Sequence, residues 1–123
     1  LERLLRAQPT PVWFAMDNCP HQLVAGGRIA ALDALAGAIV ASGGVAVRLP
    51  FARAFHTPLF GDWARTLAGY YRDLPLGPGR VPVYSCHTAA PLPDDADACR
   101  AAMAAQWTDL IRFRDTIERV YAE

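Results

Sequence analysis

Three histidines punctuate the 123-residue chain, and histidine is the side chain best suited to take and return a proton near neutral pH. His21 follows Pro20 in a turn and His87 closes a β-prone run, so both are expected to hydrogen-bond local backbone. His56 is different. In the stretch "LPFARAFHTPLFGDW", residues 49–63, it stands between Phe55 and Thr57, and Thr57-Pro58 supplies a cap and a first-turn proline for a following helix. The positive end of a helix disfavours an imidazolium and helps keep a base neutral. A base needs a nucleophile to act on, and none is legible: there is no G-x-S-x-G turn, Ser42 ends a helix and Ser85 lies in a strand. His56 therefore reads as half of a site.

The elements that must position it follow from periodicity and turn residues. Leu1, Leu4 and Leu5 at helical spacing, then "AQPTP", predict the last turns of a helix. "VWFAMDNC" and "HQLVAGG" predict two antiparallel strands joined through Asn18-Cys19-Pro20 and ended by Gly26-Gly27. From Arg28 to Ser42 the residues Ile29, Leu32, Leu35, Ala36, Ile39 and Val40 share one face of a helix that stops at Gly43-Gly44. "VAVRLP", residues 45–50, predicts a third strand, and the helix after Thr57-Pro58 carries Phe60, Trp63, Leu67, Tyr70, Tyr71 and Leu74 as its core side. "VPVYSCH", residues 81–87, predicts a fourth strand. In the last third, Leu110, Phe113, Ile117, Val120 and Tyr121 are spaced for one buried helical face. The order β-β-α-β-α-β after a helix predicts an α/β (α+β) ferredoxin-like sandwich whose first strand lies upstream of residue 1.

Composition narrows the classes of function. Hydrophobic residues at 53% and aromatics at 10% predict one well-packed domain, and no apolar run nears the roughly 20 residues of a membrane helix, so a soluble protein is expected. The twelve basic residues, all arginine, are offset by twelve acids, which gives no nucleic-acid footprint. Cys19, Cys86 and Cys99 are odd in number and lack C-x-x-C spacing, so no disulfide framework or metal site is predicted and a reduced, cytoplasmic setting fits. Both ends, "LERLLRAQP" and "RVYAE", read as cut from a longer polypeptide.

Four stretches occur in suitable order and spacing, "AMDNCPHQLVAGG", "VAVRLPFARAFHTPLF", "VPVYSCHTAAPL" and "AQWTDLIRFRDTIERVYAE". Together they resemble the small subdomain of the acyltransferase (malonyl-CoA:acyl carrier protein transacylase-like) domain of polyketide and fatty acid synthases. Similarity is greatest to iterative type I synthases of the enediyne and polyunsaturated-fatty-acid kind. In that family a hydrolase-like large subdomain carries a G-H-S-x-G serine, and the ferredoxin-like subdomain supplies the histidine of an A-F-H-[ST]-P motif, which Ala54-Phe55-His56-Thr57-Pro58 fits residue for residue.

The resemblance implies that residues 1–90 form the ferredoxin-like subdomain and that residues 91–123 are a linker and helices packing on the large subdomain. It implies that His56 is the general base of a ping-pong transfer: a malonyl group moves from malonyl-CoA to a serine outside this segment, then to the phosphopantetheine thiol of an acyl carrier protein. No bound cofactor is implied, and the segment alone is expected to be inactive. In many relatives a backbone carbonyl in the strand matching "VYSCHT", often an asparagine's, orients the histidine. Cys86 takes that place here, where Ser85-Cys86-His87 has no asparagine. Phe55 implies a malonyl preference, because its ring fills the space an α-methyl would need. Arg48, Arg53 and Arg65 are candidates to meet an acidic carrier protein, against solvated arginines as the plain reading. A different class of function, a non-catalytic ferredoxin-like docking or ligand-sensing module, has the same fold. An acylphosphatase-like hydrolase fits less well, because "QPTPVWFAM" lacks a phosphate loop with an arginine.

Overall fold

A computed structural model describes residues 2–122. After helix α1 (Glu2–Arg6), strands β1 (Val12–Cys19) and β2 (Gln22–Gly27) pair antiparallel, from Val12 opposite Gly27 to Cys19 opposite Gln22. The tight turn is Pro20-His21; Asn18 and Cys19, expected in the turn, complete the strand. Register shifts between Phe14 and Met16 and between Asp17 and Cys19 are bulges, which bend and twist the hairpin.

Helix α2 (Ile29–Ala41) ends as the glycines require. Gly43 adopts φ 83°, a conformation that strains any residue with a Cβ, and Gly44 N–H returns to the Ile39 carbonyl at 2.9 Å. Of the face predicted to be apolar, Leu35 is buried, whereas Ile29 and Val40 remain exposed.

A 3₁₀ turn over Pro58–Phe60 leads into α3 (Gly61–Tyr71). Phe60 and Ala64 are buried, but Trp63 and Tyr70, expected in the core, are 59% and 70% exposed. The stretches expected to form the third and fourth strands depart most from expectation. Residues 45–50 run without ladder pairing, and Val45 and Val47 are exposed. Of 81–87 only β3 (Tyr84–Ser85) is a strand, paired with β4 (Ala90–Pro91) across a turn in which Ala89 has φ 53°. The described residues thus hold two separate two-stranded sheets. Alternation along 45–50 suits a strand, but a ladder needs a neighbouring strand, and among the described residues none pairs with it.

Residues 91–122 pack against the earlier part. Helix α4 (Ala96–Ala105), capped by Asp95 Oδ1 accepting from Ala98 N–H at 2.7 Å, lies on α3. Helix α5 (Phe113–Ala122) lies on β1, fixed by the pair Arg114–Asp17 at 2.6 Å. Just before α5, Ile111 bridges β1, donating to the Ala15 carbonyl at 2.9 Å and accepting from Asp17 N–H at 2.8 Å. Arg100 of α4 closes the end of α3, donating to the Tyr71 carbonyl at 3.1 Å and the Leu74 carbonyl at 2.7 Å. Arg100→Met keeps the aliphatic stem and strips those carbonyls of their donors. It is expected to cost about 1–3 kcal/mol in urea unfolding, whereas Asp97→Asn, its exposed ion-pair partner, is expected to cost under about 1 kcal/mol.

Candidate active site

The loop between residues 51 and 57 turns sharply at His56, whose φ of 60° lies in the left-handed region that a residue with a Cβ avoids. Holding a non-glycine there costs about 1–3 kcal/mol and needs surrounding contacts to impose it. Those contacts are visible. Thr57 is fully buried, and its hydroxyl donates to the Ala54 carbonyl at 2.7 Å. Thr57 precedes the 3₁₀ turn as expected, yet its side chain does not cap it; the hydroxyl is spent on tying the turn at His56 instead. Gly26 of β2 makes this possible: a Cβ at Gly26 would come within 2.6 Å of Thr57 Cγ2.

The other half of the support is the C-terminal end of α4. The last carbonyls of α4 find donors in the turn that follows it, Ala102 O from Gln106 N–H at 3.2 Å, Ala104 O from Trp107 N–H at 3.3 Å and Ala105 O from Thr108 N–H at 3.1 Å. The next two carbonyls, of Gln106 and Trp107 just past the helix, go to His56. Its backbone N–H donates to Trp107 O at 2.9 Å, and its Nδ1 lies 2.5 Å from Gln106 O. A carbonyl only accepts, so Nδ1 carries a proton, and in the neutral ring Nε2 is the nitrogen with the lone pair.

One face of the imidazole is covered. The Trp107 indole lies parallel to it, within 4° and at 6.0 Å between centroids. Phe55 stands edge-on to Phe60 at 4.8 Å and also meets Trp107 at 5.9 Å. Phe55, His56, Phe60 and Trp107 make one aromatic cluster, with Phe51 beside Phe55 at 6.0 Å.

Cys86 does not orient His56. Its carbonyl accepts from Arg112 N–H at 2.6 Å, so it anchors the segment that follows Gln106 and Trp107 rather than the imidazole itself. Residue type does not reveal these two carbonyls, because they act through the backbone; the signal the sequence carries is "AAQWTDL", a helix end without a glycine stop, which leaves the chain to turn with its next carbonyls facing outside donors.

The remaining candidates stay apart. His21 is exposed in the hairpin turn. His87 packs near Asp109, with Nδ1 3.6 Å from Oδ2, too long for a hydrogen bond. Arg65 pairs with Asp62, Arg48 lies 4.0 Å from Asp33, and Arg53 donates to the neighbouring Ala52 carbonyl. Among the described residues no group of three metal-binding side chains converges, and no helix is long and apolar enough to cross a membrane.

Gly26→Ala would push its methyl into Thr57, and an overpacked contact of this kind costs about 1–3 kcal/mol. The expected outcome is a lowered Tm, partly restored in the double variant Gly26→Ala/Thr57→Ser, which lacks the obstructing Cγ2; calorimetry of the three proteins checks it.

No family model matches the chain, and no curated protein matches it. Solved structures do. Malonyl CoA-acyl carrier protein transacylase from Clostridium perfringens superposes with a TM-score of 0.88 at 22% identity, covering 98% of this chain and 39% of that one. A malonyl-transacylase solved in complex with its type II polyketide synthase acyl-carrier protein gives 0.88 at 25% identity, covering 99% and 41%. The acyltransferase domain of the iterative polyketide synthase in enediyne biosynthesis gives 0.81 at 29% identity, covering 95% and 30%. The chain spans about two-fifths of the length of the transacylases it matches. It therefore has the fold of part of a malonyl-CoA:acyl carrier protein transacylase-like acyltransferase, the family its motifs resemble.

Proposed function

We propose that His56 is the general base of an acyltransferase that moves a malonyl group from malonyl-CoA to the phosphopantetheine thiol of an acyl carrier protein. The observation that carries this is the imidazole itself, held through Nδ1 by Gln106 O so that Nε2 is the bare nitrogen of the neutral ring, on a backbone turn too costly to persist without support. It lies in Ala54-Phe55-His56-Thr57-Pro58, in a chain with an acyltransferase fold. In this reading Nε2 takes the proton of a serine outside these residues as that serine attacks the malonyl thioester, and returns it to the departing CoA thiolate. In the second half-reaction Nε2 takes the proton of the carrier's thiol and delivers it to the serine oxygen as the ester breaks.

Residues 1–90 form the histidine-bearing subdomain in this proposal, and 91–123 lead back to the part that holds the serine. Exposed apolar side chains support it: Val45, Val47, Leu49 and Phe51 alternate along an unpaired extended segment, and Phe113, Ile117, Val120 and Tyr121 share a face of α5. The first set is ready for the missing strand and the second for the larger subdomain. A carrier protein as acceptor is supported by the solved complex of the similar transacylase.

Mass spectrometry of the complete acyltransferase incubated with malonyl-CoA, with and without a phosphopantetheinylated carrier, tests the base. A malonyl adduct is expected that passes to the carrier, with His56→Ala at least about 100-fold slower. Equal loading in the two proteins, or no adduct, would sink the reading in favour of a non-catalytic docking module.

Phe55 is proposed to set acyl specificity. Its ring, pinned against Phe60, stands beside His56 at 6.4 Å between centroids. One methyl group in a pocket is worth a preference of about 10–200-fold, so Phe55→Ser is expected to narrow the malonyl-over-methylmalonyl ratio by about tenfold in competition for loading. An unchanged ratio would remove Phe55 from the specificity site.

A further inference from the structure

We propose that Trp107 and Tyr71 form a positioning pair that fixes the plane of the His56 imidazole and so keeps its Nδ1 on Gln106 O, an inference that rests on His56 being the general base. Hydrogen bonding at Nδ1 alone leaves an imidazole free to rock about the bond it makes. The second restraint here is the Trp107 indole, parallel to the ring within 4°. An indole covers a neighbour's face only while its own tilt is fixed, and Trp107 Nε1–H donates to Tyr71 Oη at 2.7 Å. Tyr71 is the last residue of α3, and its carbonyl is held by Arg100 Nε at 3.1 Å. The indole is therefore tied at both ends. Its backbone carbonyl accepts from His56 N–H, and its ring nitrogen is anchored to the helix that starts beside that histidine.

Neither side chain is placed to touch a substrate through Nε2; both act through the imidazole. Loss of the Tyr71 hydroxyl leaves a half-buried indole N–H without its acceptor and lets the indole tilt. The imidazole then gains freedom to rock and to exchange its proton between Nδ1 and Nε2, and Nε2 protonated cannot serve as base. Displacements of the order of 1 Å in a catalytic group reduce rates by up to about 100-fold, which sets the scale expected here.

The test compares wild type, Tyr71→Phe, Trp107→Phe and the double variant in the complete acyltransferase. Tyr71→Phe is expected to lower kcat for malonyl transfer about tenfold with KM for malonyl-CoA unchanged. The double variant is expected to be little worse than either single one, because one device is being removed twice. Histidine-selective ¹⁵N NMR reads the ring directly: His56 in wild type should show protonated Nδ1 and bare Nε2, and Tyr71→Phe should show a mixture of the two tautomers. Unchanged kcat in Tyr71→Phe, additive losses in the double variant, or a loss shared with KM would overturn the pair. If wild type transfers no malonyl at all, the proposed function fails, and the ¹⁵N signals still decide the pair. An unaltered His56 signature in Tyr71→Phe would dispose of it whatever the chemistry. Tyr71→Phe keeps the ring and its packing, so it decides the matter even if Trp107→Phe does not fold.

Discussion

The interaction on which the rest depends is the pairing of one strained residue with the turn that follows one helix. His56 needs donors and acceptors in fixed places to stay at φ 60°, and the turn after α4 presents two carbonyls, of Gln106 and Trp107, that need donors. Each answers the other's deficit. The backbone N–H of His56 satisfies Trp107 O, the ring N–H satisfies Gln106 O, and the two bonds together oppose a strain of about 1–3 kcal/mol. Because net gains from hydrogen bonds are about 0.5–1.5 kcal/mol each, neither bond alone would hold the turn comfortably.

This pairing explains why the surrounding architecture looks as it does. The end of α4 must be delivered to within hydrogen-bond distance of a loop 50 residues earlier, and three contacts set its position. Arg100 fastens α4 to the end of α3, Ile111 stitches the following segment to β1, and Arg112 N–H meets the Cys86 carbonyl. On the opposite side β2 comes close enough to Thr57 that only glycine fits at position 26. A buried carboxylate behind the histidine would orient the ring equally well, but it would add a desolvated charge. Backbone carbonyls in the turn after a helix give the orientation with no ionised group to bury.

What could be read from residues alone divides along physical lines. Local signals were reliable: the β1–β2 hairpin, the stop of α2 at Gly43, and the position of His56 before Pro58 all depend on near neighbours in sequence. Sheet completion was not legible in the same way. "VAVRLP" has the alternation of a strand, yet pairing is decided by a neighbour, and among the described residues no strand pairs with it. Trp63 and Tyr70 were assigned to the core because spacing fixes which residues share a face, and spacing does not say whether that face meets anything. The site shows the same divide. His56 and Phe55 were found because a contiguous motif contains them, whereas Gln106 acts through its backbone carbonyl and leaves no mark in residue type. Cys86 was chosen for that role by analogy, and its carbonyl proved to be committed to Arg112.

The exposed apolar side chains and the half-site are two aspects of one arrangement. If His56 is the base proposed above, its fixed imidazole has no use for that preorganisation unless another element brings a reacting group to it. The faces carrying Val45, Val47 and Leu49 and those carrying Phe113, Ile117 and Val120 are what a second body would cover. Burying such surface at about 25 cal/mol per Å² provides the driving force for that body to dock, and docking brings its chemistry to His56. The histidine's geometry is set from within these residues, by the turn after α4 and by β2, so in the proposed function the docked part would need to supply only the nucleophile and the groups that stabilise charge on the substrate. On that reading each half folds around its own constraint, the strained turn here and the nucleophile there, and their interface decides when the two meet.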